Sequence, residues 1–318
     1  MNKNILRVSI AIAVAIFLVV ISRIVFLSFS QSEKPQTSSQ GTVSVASKES
    51  KVLKQAKELL TLGQRAEAIK QLEQIADSSK GQRDGYEAVL TLADIYSKDR
   101  NLLKAKALYY ETINEYSQFC DYASVQKKIA SVNTALLFSN ILTPESELYI
   151  VAPGDSLAKI AGRYSTTVEL IKRANNLKSD IIIPGMKLKV QNKPFSIIVD
   201  NKQCVLTVLL GDEVIKIYGV ATGKNNSTPI GLFKVRDKLV DPVWYNKGVA
   251  VPAESPENVL GTRWMGLTTP EPGYGIHGTT EPDSIGYQST EGCIRMRNKD
   301  VEELYSIIPL GISVTVID

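Results

Sequence analysis

Histidine is almost absent from this 318-residue chain: His277 is the single example. A metal centre that needs several imidazoles is excluded by counting, and any chemistry that needs an imidazole must use this residue. Cysteine is scarce as well. Cys120, Cys204 and Cys293 are too few for a disulfide framework and none has the spacing of a paired-cysteine zinc site, so neither a metal nor a cofactor is expected. A surplus of one charge is also lacking. The 37 basic and 33 acidic side chains leave +4, without the clustered excess that grips phosphates, and nucleic acid is not an expected partner. At 44% apolar and 22% charged the composition is that of ordinary globular material. The length is about twice a common domain of ~150 residues, so more than one folding unit is expected.

Long hydrophobic runs are missing except at the start. From Val8 to Phe29 the one charge is Arg23, and as a helix this stretch would rise about 33 Å, enough for a hydrocarbon core of about 30 Å. Lys3 and Arg7 precede it, which orients the N-terminus to the cytoplasm and the remainder to the outside. The first reading is a membrane anchor over residues 1–29, with the chain single-pass and the remainder on the outer side of the membrane. The alternative is a cleaved signal peptide and a secreted chain, because the uncharged core Val8–Ser22 is short and Ser28-Phe29-Ser30 resembles a small-x-small cleavage site. Residues 30–50, rich in Ser, Gln, Thr and Lys, read as a flexible linker.

Over residues 51–140 apolar residues recur at helical spacing: Leu53, Ala56, Leu59 and Leu60, then Ala68, Ile69, Leu72 and Ile75, then two further segments around Ala88–Ile95 and Ala105–Ile113. A last helix carries Val125, Ile129, Val132 and Leu136 on one face. Two helical hairpins and a terminal helix resemble a short tetratricopeptide array, although Glu73 and Glu111 stand 38 apart where that repeat has about 34. A plain helical spacer and a groove for a protein partner are both open readings.

Residues 149–190 read as strand, helix, helix, strand. Tyr149–Val151 leads through a turn at Gly154-Asp155 into a helix opened by Ser156; Leu157, Ile160 and Ala161 with Tyr164 form its apolar face. A second helix ends near Asn175, and Ile183-Pro184-Gly185 turns into a returning strand with Leu188 and Val190. This pattern resembles the LysM module. The resemblance implies recognition of glycan strands of peptidoglycan, with Gly154, Asp155, Ser156, Leu157, Asn175, Ile183 and Pro184 as the candidate sugar-binding loops. For most of these the alternative is a core or turn role.

Beyond Phe195 the period becomes alternating, with turns at Asp200-Asn201 and Gly211-Asp212, which predicts a mainly β domain built from hairpins over 195–318. Within it Cys293 follows Gly292 after a polar turn, and His277 precedes Gly278. These types suit a nucleophile and a base: an imidazole takes the thiol proton and holds a thiolate as an ion pair, while amides beside Gly292 approach an oxyanion. A buried structural thiol and an ordinary loop histidine are the plain alternative.

The longer pattern carries more. Ala221-Thr222-Gly223, Ser227-Thr228-Pro229, Gly231, Phe233, Gly261, Arg263-Trp264, Gly266-Leu267, His277-Gly278-Thr279 and Thr290, Gly292-Cys293-Ile294-Arg295-Met296 appear in this order. They resemble the YkuD-type L,D-transpeptidase catalytic domain. The resemblance implies a β-sandwich, Cys293 as nucleophile, His277 as base and then acid, Gly278 orienting the imidazole, and the Gly292 and Cys293 amides as oxyanion donors. Thr290 and Arg295 would support the cysteine loop, and Tyr274 and Trp264 would wall the substrate, with core packing an equal reading for the tryptophan. Glu291 stands where many members have a second histidine, so an inward carboxylate would raise the thiol pKa.

The fold class expected is thus multidomain: a transmembrane helix, an all-α spacer, a βααβ module and a mainly-β catalytic domain. The implied reaction is peptidoglycan crosslinking between position three of one stem peptide and position three of another. Its rivals are attachment or release of wall proteins by the same thiol, and a non-catalytic wall-binding scaffold.

Overall fold

The structure is a computed structural model that describes residues 50–246 and 248–318. They fall into two compact units that divide after Lys128.

The first unit is helical: α1 (Lys51–Thr61), α2 (Arg65–Ser78), α3 (Arg83–Lys98), α4 (Leu102–Glu115) and the start of α5 (Tyr122–Leu137). Ser50 caps α1 by accepting the Leu53 amide on its hydroxyl at 3.2 Å. Spacing of three and four residues gathers Leu53, Ala56, Leu72, Ile75, Ala88, Leu92 and Ile95 into one core. Tyr86, Val89 and Tyr116 form a second cluster at the other side of α3.

The expected fold class needs one correction. Among the described residues no helix is long and apolar enough to cross a membrane. The longest helices, α3 and α5, have 16 residues each, which is about 24 Å of rise against a core of about 30 Å, and both carry charge. The segment assigned to the span, 1–29, and the linker up to residue 49 lie outside the described residues.

The second unit begins in α5 and continues through β1 (Ser146–Ile150), α6 (Leu157–Arg163), α7 (Val168–Ala174) and β2 (Lys187–Gln191). β1 and β2 pair antiparallel, and Val151, Leu157, Ile160, Ala161, Ile171, Leu188 and Val190 fill the small core between sheet and helices. The β-rich part follows: β3 (Phe195–Asp200), β4 (Val205–Leu210), β5 (Glu213–Gly219), β6 (Thr222–Gly223), β7 (Gly231–Val240), β8 (Trp244–Asn246), β9 (Val249–Val251), β10 (Arg263–Leu267), β11 (Gly275–His277), β12 (Gln288–Thr290), β13 (Ile294–Arg295), α8 (Asn298–Ile307) and β14 (Ser313–Ile317).

Eight of these strands join in the order β13-β11-β10-β7-β14-β3-β4-β5, while β6–β12 and β8–β9 form small separate pairs. The sequence suggested hairpins in a sandwich. The observed eight-stranded sheet is mixed, because β3–β14 and β11–β13 pair in parallel, and the separate β6–β12 pair is parallel as well. Alternating inward residues such as Ile197 and Val199, Leu206 and Val208, and Val314 and Val316 share one core with Val301, Leu304 and Ile307 of α8.

The small module is packed onto this core. Leu170 of α7 and Leu137 of α5 belong to the same buried cluster as the sheet. Thr167 and Arg173 both donate to Ser306 of α8, and the Arg173 guanidinium lies 3.4 Å from the centroid of the Phe138 ring. At the edge strand β5, Asn133 and Thr134 of α5 donate to the Val214 and Ile215 carbonyls, which covers backbone acceptors that an edge otherwise leaves open.

Candidate active site

The site is assembled where β11 and β13 run side by side at the end of the sheet. Ile276 lies opposite Ile294 and His277 opposite Arg295. Cys293 directly precedes β13, two positions before the residue facing His277. The same short ladder therefore carries His277 and adjoins Cys293.

His277 is buried, 3% exposed. Its Nδ1 lies 2.7 Å from the Gly278 carbonyl oxygen. A carbonyl only accepts, so Nδ1 carries the proton and Nε2 keeps its lone pair. Trp264 stacks on the imidazole with centroids 5.9 Å apart and planes 23° apart. The indole is itself held, Nε1 donating to Asp237 Oδ1 at 3.0 Å. Burial pulls the His277 pKa from 6.5 down to about 4, against carbonyl hydrogen bonds from Gly278 and Leu260 and with help from the Arg295 charge.

The Cys293 thiol points at the Gly273 carbonyl oxygen, 3.4 Å away. Burial raises its pKa above the ordinary thiol value, opposed by the Gly275 amide and the Arg295 guanidinium. Burial thus favours the uncharged form of each group taken by itself.

The cysteine loop is fixed by Thr290, whose Oγ1 donates to the Cys293 carbonyl at 2.7 Å and accepts the Gly292 amide at 3.2 Å. The Gly292 amide, one of the two expected oxyanion donors, is thus already used inside the loop. Gly292 has φ +125°, and a Cβ there would come within 2.5 Å of the Tyr274 ring, so Tyr274 packs on the loop. Arg295 is held by its own partners, Nη1 donating to Glu281 at 2.6 Å and to Ser284 Oγ at 3.1 Å. Glu291 points outward, 94% exposed and 3.5 Å from Lys224, too solvated to act on the thiol. Cys120, Cys204 and Cys293 are all unpaired; the Cys204 thiol is buried 3.6 Å from Thr222 Oγ1.

Sequence reasoning missed the residues that hold these groups: Asp237 behind Trp264, Glu281 on Arg295, and Asn298. Asp237 emerges from the β7–β10 register, which puts it opposite Gly266; nothing in its local sequence marks it.

In the small module several sugar candidates are structural. Asp155 accepts the Ala152 amide at 2.8 Å and the Tyr149 hydroxyl, which holds its carboxyl below the usual range. Ser156 caps α6, Leu157 is buried, and Asn175 brackets the Lys189 backbone through two hydrogen bonds. Gly154, Ile183 and Pro184 are exposed. Ile181, not a candidate from the sequence, is the most exposed large apolar side chain of the described residues at 77%.

An imidazole of fixed tautomer and a cysteine on the adjoining loop, in a β-rich domain, are groups from which thiol acyl-transfer sites are built. Comparison with known proteins agrees. Residues 194–317 match the model of the L,D-transpeptidase catalytic domain, YkuD, and residues 149–191 match the LysM domain. Bacillus licheniformis YkuD is 33% identical over 178 residues, covering 53% of this chain and 98% of that protein. Bacillus subtilis YkuD is 34% identical over 176 residues, 53% and 97% of the two chains. The L,D-transpeptidase structure from Mycobacterium smegmatis aligns with a TM-score of 0.34 at 20% identity, over 43% of this chain and 65% of that one. The chain belongs to the YkuD family of L,D-transpeptidases and carries a LysM peptidoglycan-binding module beside the catalytic domain.

Proposed function

We propose that the chain forms three-to-three crosslinks in peptidoglycan through a thioester on Cys293. His277 Nε2 takes the thiol proton as sulfur attacks the carbonyl at position three of a donor stem. The sulfur–carbon bond forms, the carbonyl becomes an oxyanion, and the imidazolium returns the proton to the leaving amine of the terminal D-alanine. An amine at position three of an acceptor stem then attacks the thioester, gives its proton to His277 and restores the thiol; water as acceptor makes the same site a carboxypeptidase. The Cys293 amide is the oxyanion donor in this scheme, because the Gly292 amide is spent on Thr290. Beginning from neutral partners suits the site, since the ion pair is needed only while charge develops on the substrate. The LysM module holds the glycan strand through the exposed apolar loop of Ile181 and Ile183, and the substrate places this work outside the cytoplasmic membrane.

The observation that carries the reading is His277 Nδ1 bound to the Gly278 carbonyl, which leaves Nε2 to serve as base. The test is incubation of the full chain with disaccharide-tetrapeptides. Free D-alanine and three-to-three dimers are expected from the wild type and neither from Cys293→Ala. Wild-type levels of dimers from that variant would refute the reading.

A further inference from the structure

Asn298 opens α8 but takes no part in capping it. Its Oδ1 instead accepts two backbone amides from other segments: Thr279 at 2.9 Å and Thr262 at 3.3 Å. The Thr279 amide and the Gly278 carbonyl are the two ends of one planar trans peptide, so they point in opposite directions. That same carbonyl receives the His277 Nδ1 proton at 2.7 Å. The second amide ties down Thr262, two residues after Leu260, whose backbone also acts on the imidazole. Space around the side chain is tight. A Cβ at either Gly261 or Gly278 would come within 2.2 Å of Asn298 Oδ1, so both glycines are required by the close approach of this one oxygen.

We propose that Asn298 is a positioning residue for the catalytic base: by gripping the Gly278–Thr279 peptide at its amide end, it aims the carbonyl end at His277 Nδ1 and so fixes the tautomer that leaves Nε2 free. A hydrogen bond to the amide also polarises the peptide and makes its carbonyl the stronger acceptor. Asn298 does not touch the substrate or the sulfur. Its effect passes through a single peptide bond, which is why the residue lies outside the histidine and cysteine motifs although it sets the state of the imidazole.

The inference rests on His277 being the base, and one of its readouts does not. With a single histidine in the chain, the ring nitrogens of a 15N-labelled sample report the tautomer without assignment. In wild type at pH 7 they are expected to show protonated Nδ1 and bare Nε2. In Asn298→Ala the two tautomers are expected to mix, with D-alanine release falling about 10- to 100-fold in kcat, a part of what a general base supplies, and KM changing less than about twofold. Asn298→Asp keeps an oxygen in place and is expected to keep the wild-type tautomer and to recover most of kcat. An unchanged tautomer in Asn298→Ala would overturn the inference even if the enzyme proved inactive on every stem peptide. A wild type without turnover would refute the transpeptidase reading alone. If the alanine variant does not fold, the aspartate variant decides: tautomer retained supports the role of the acceptor, tautomer lost contradicts it.

Discussion

At the scale of single residues the site is governed by desolvation. An imidazole that burial pulls down to a pKa of about 4 predicts a pH profile unlike that of an ion pair. The kcat/KM for D-alanine release is expected to rise between about pH 3 and 5 and then stay level from about 6 to 8. A rise centred near 7, as an ordinary imidazole would give, contradicts that lowered pKa. The same shift has a stability consequence. Between pH 6.5 and about 4 the unfolded chain binds a proton on His277 that the folded chain refuses, so stability is lost as pH falls through that window, by about 3 kcal/mol. Urea unfolding at pH 7 and 4.5 checks this: the wild type is expected to lose more than His277→Phe by about that amount. Gly292→Ala places a Cβ 2.5 Å from the Tyr274 ring at φ +125° and is expected to remove more than nine-tenths of the activity. Cys293 and His277 were legible in the sequence because a lone histidine and a Gly-Cys turn stand out. Their charge state was not, since burial is decided by Trp264, Leu260 and the sheet, which come from distant segments.

At the scale of elements the helices and the βααβ module were readable from periodicity, whereas the parallel pairings were not. Strands β11 and β13 are three and two residues long, too short to show a period, and their pairing is set by the chain that returns between them. The join of module to core was also hidden. Lys189 of β2 is 2% exposed and donates to the Leu136 and Ser139 carbonyls at 2.7 and 3.0 Å, satisfying the C-terminal end of α5. A lysine in an alternating strand reads as solvent-facing until α5 is placed over it. Lys189→Met removes the donor and leaves two buried carbonyls without it, which is expected to cost about 1–3 kcal/mol in urea unfolding; a change below about 0.5 kcal/mol would show that the bonds are replaced by water.

At the scale of the whole molecule, the LysM module shares a buried cluster with the catalytic domain through Leu170, and α5 joins the same cluster through Leu137. Of the loop residues expected to meet sugar, Asp155, Ser156 and Asn175 also hold turns and caps, while Ile183 and its neighbour Ile181 are exposed. Replacing both isoleucines with serine is expected to weaken co-sedimentation with insoluble peptidoglycan roughly five- to fifty-fold, about 1–2 kcal/mol of lost apolar contact, with unfolding unchanged. Equal sedimentation would move the glycan site elsewhere. The central claim is that acyl transfer passes through Cys293. Intact-mass analysis of the full chain, quenched in acid during turnover of a tetrapeptide stem, tests it most directly. The account predicts a mass increase equal to the stem minus D-alanine, mapped to Cys293 and absent in Cys293→Ala. Turnover without that adduct, or an adduct on another residue, would contradict it.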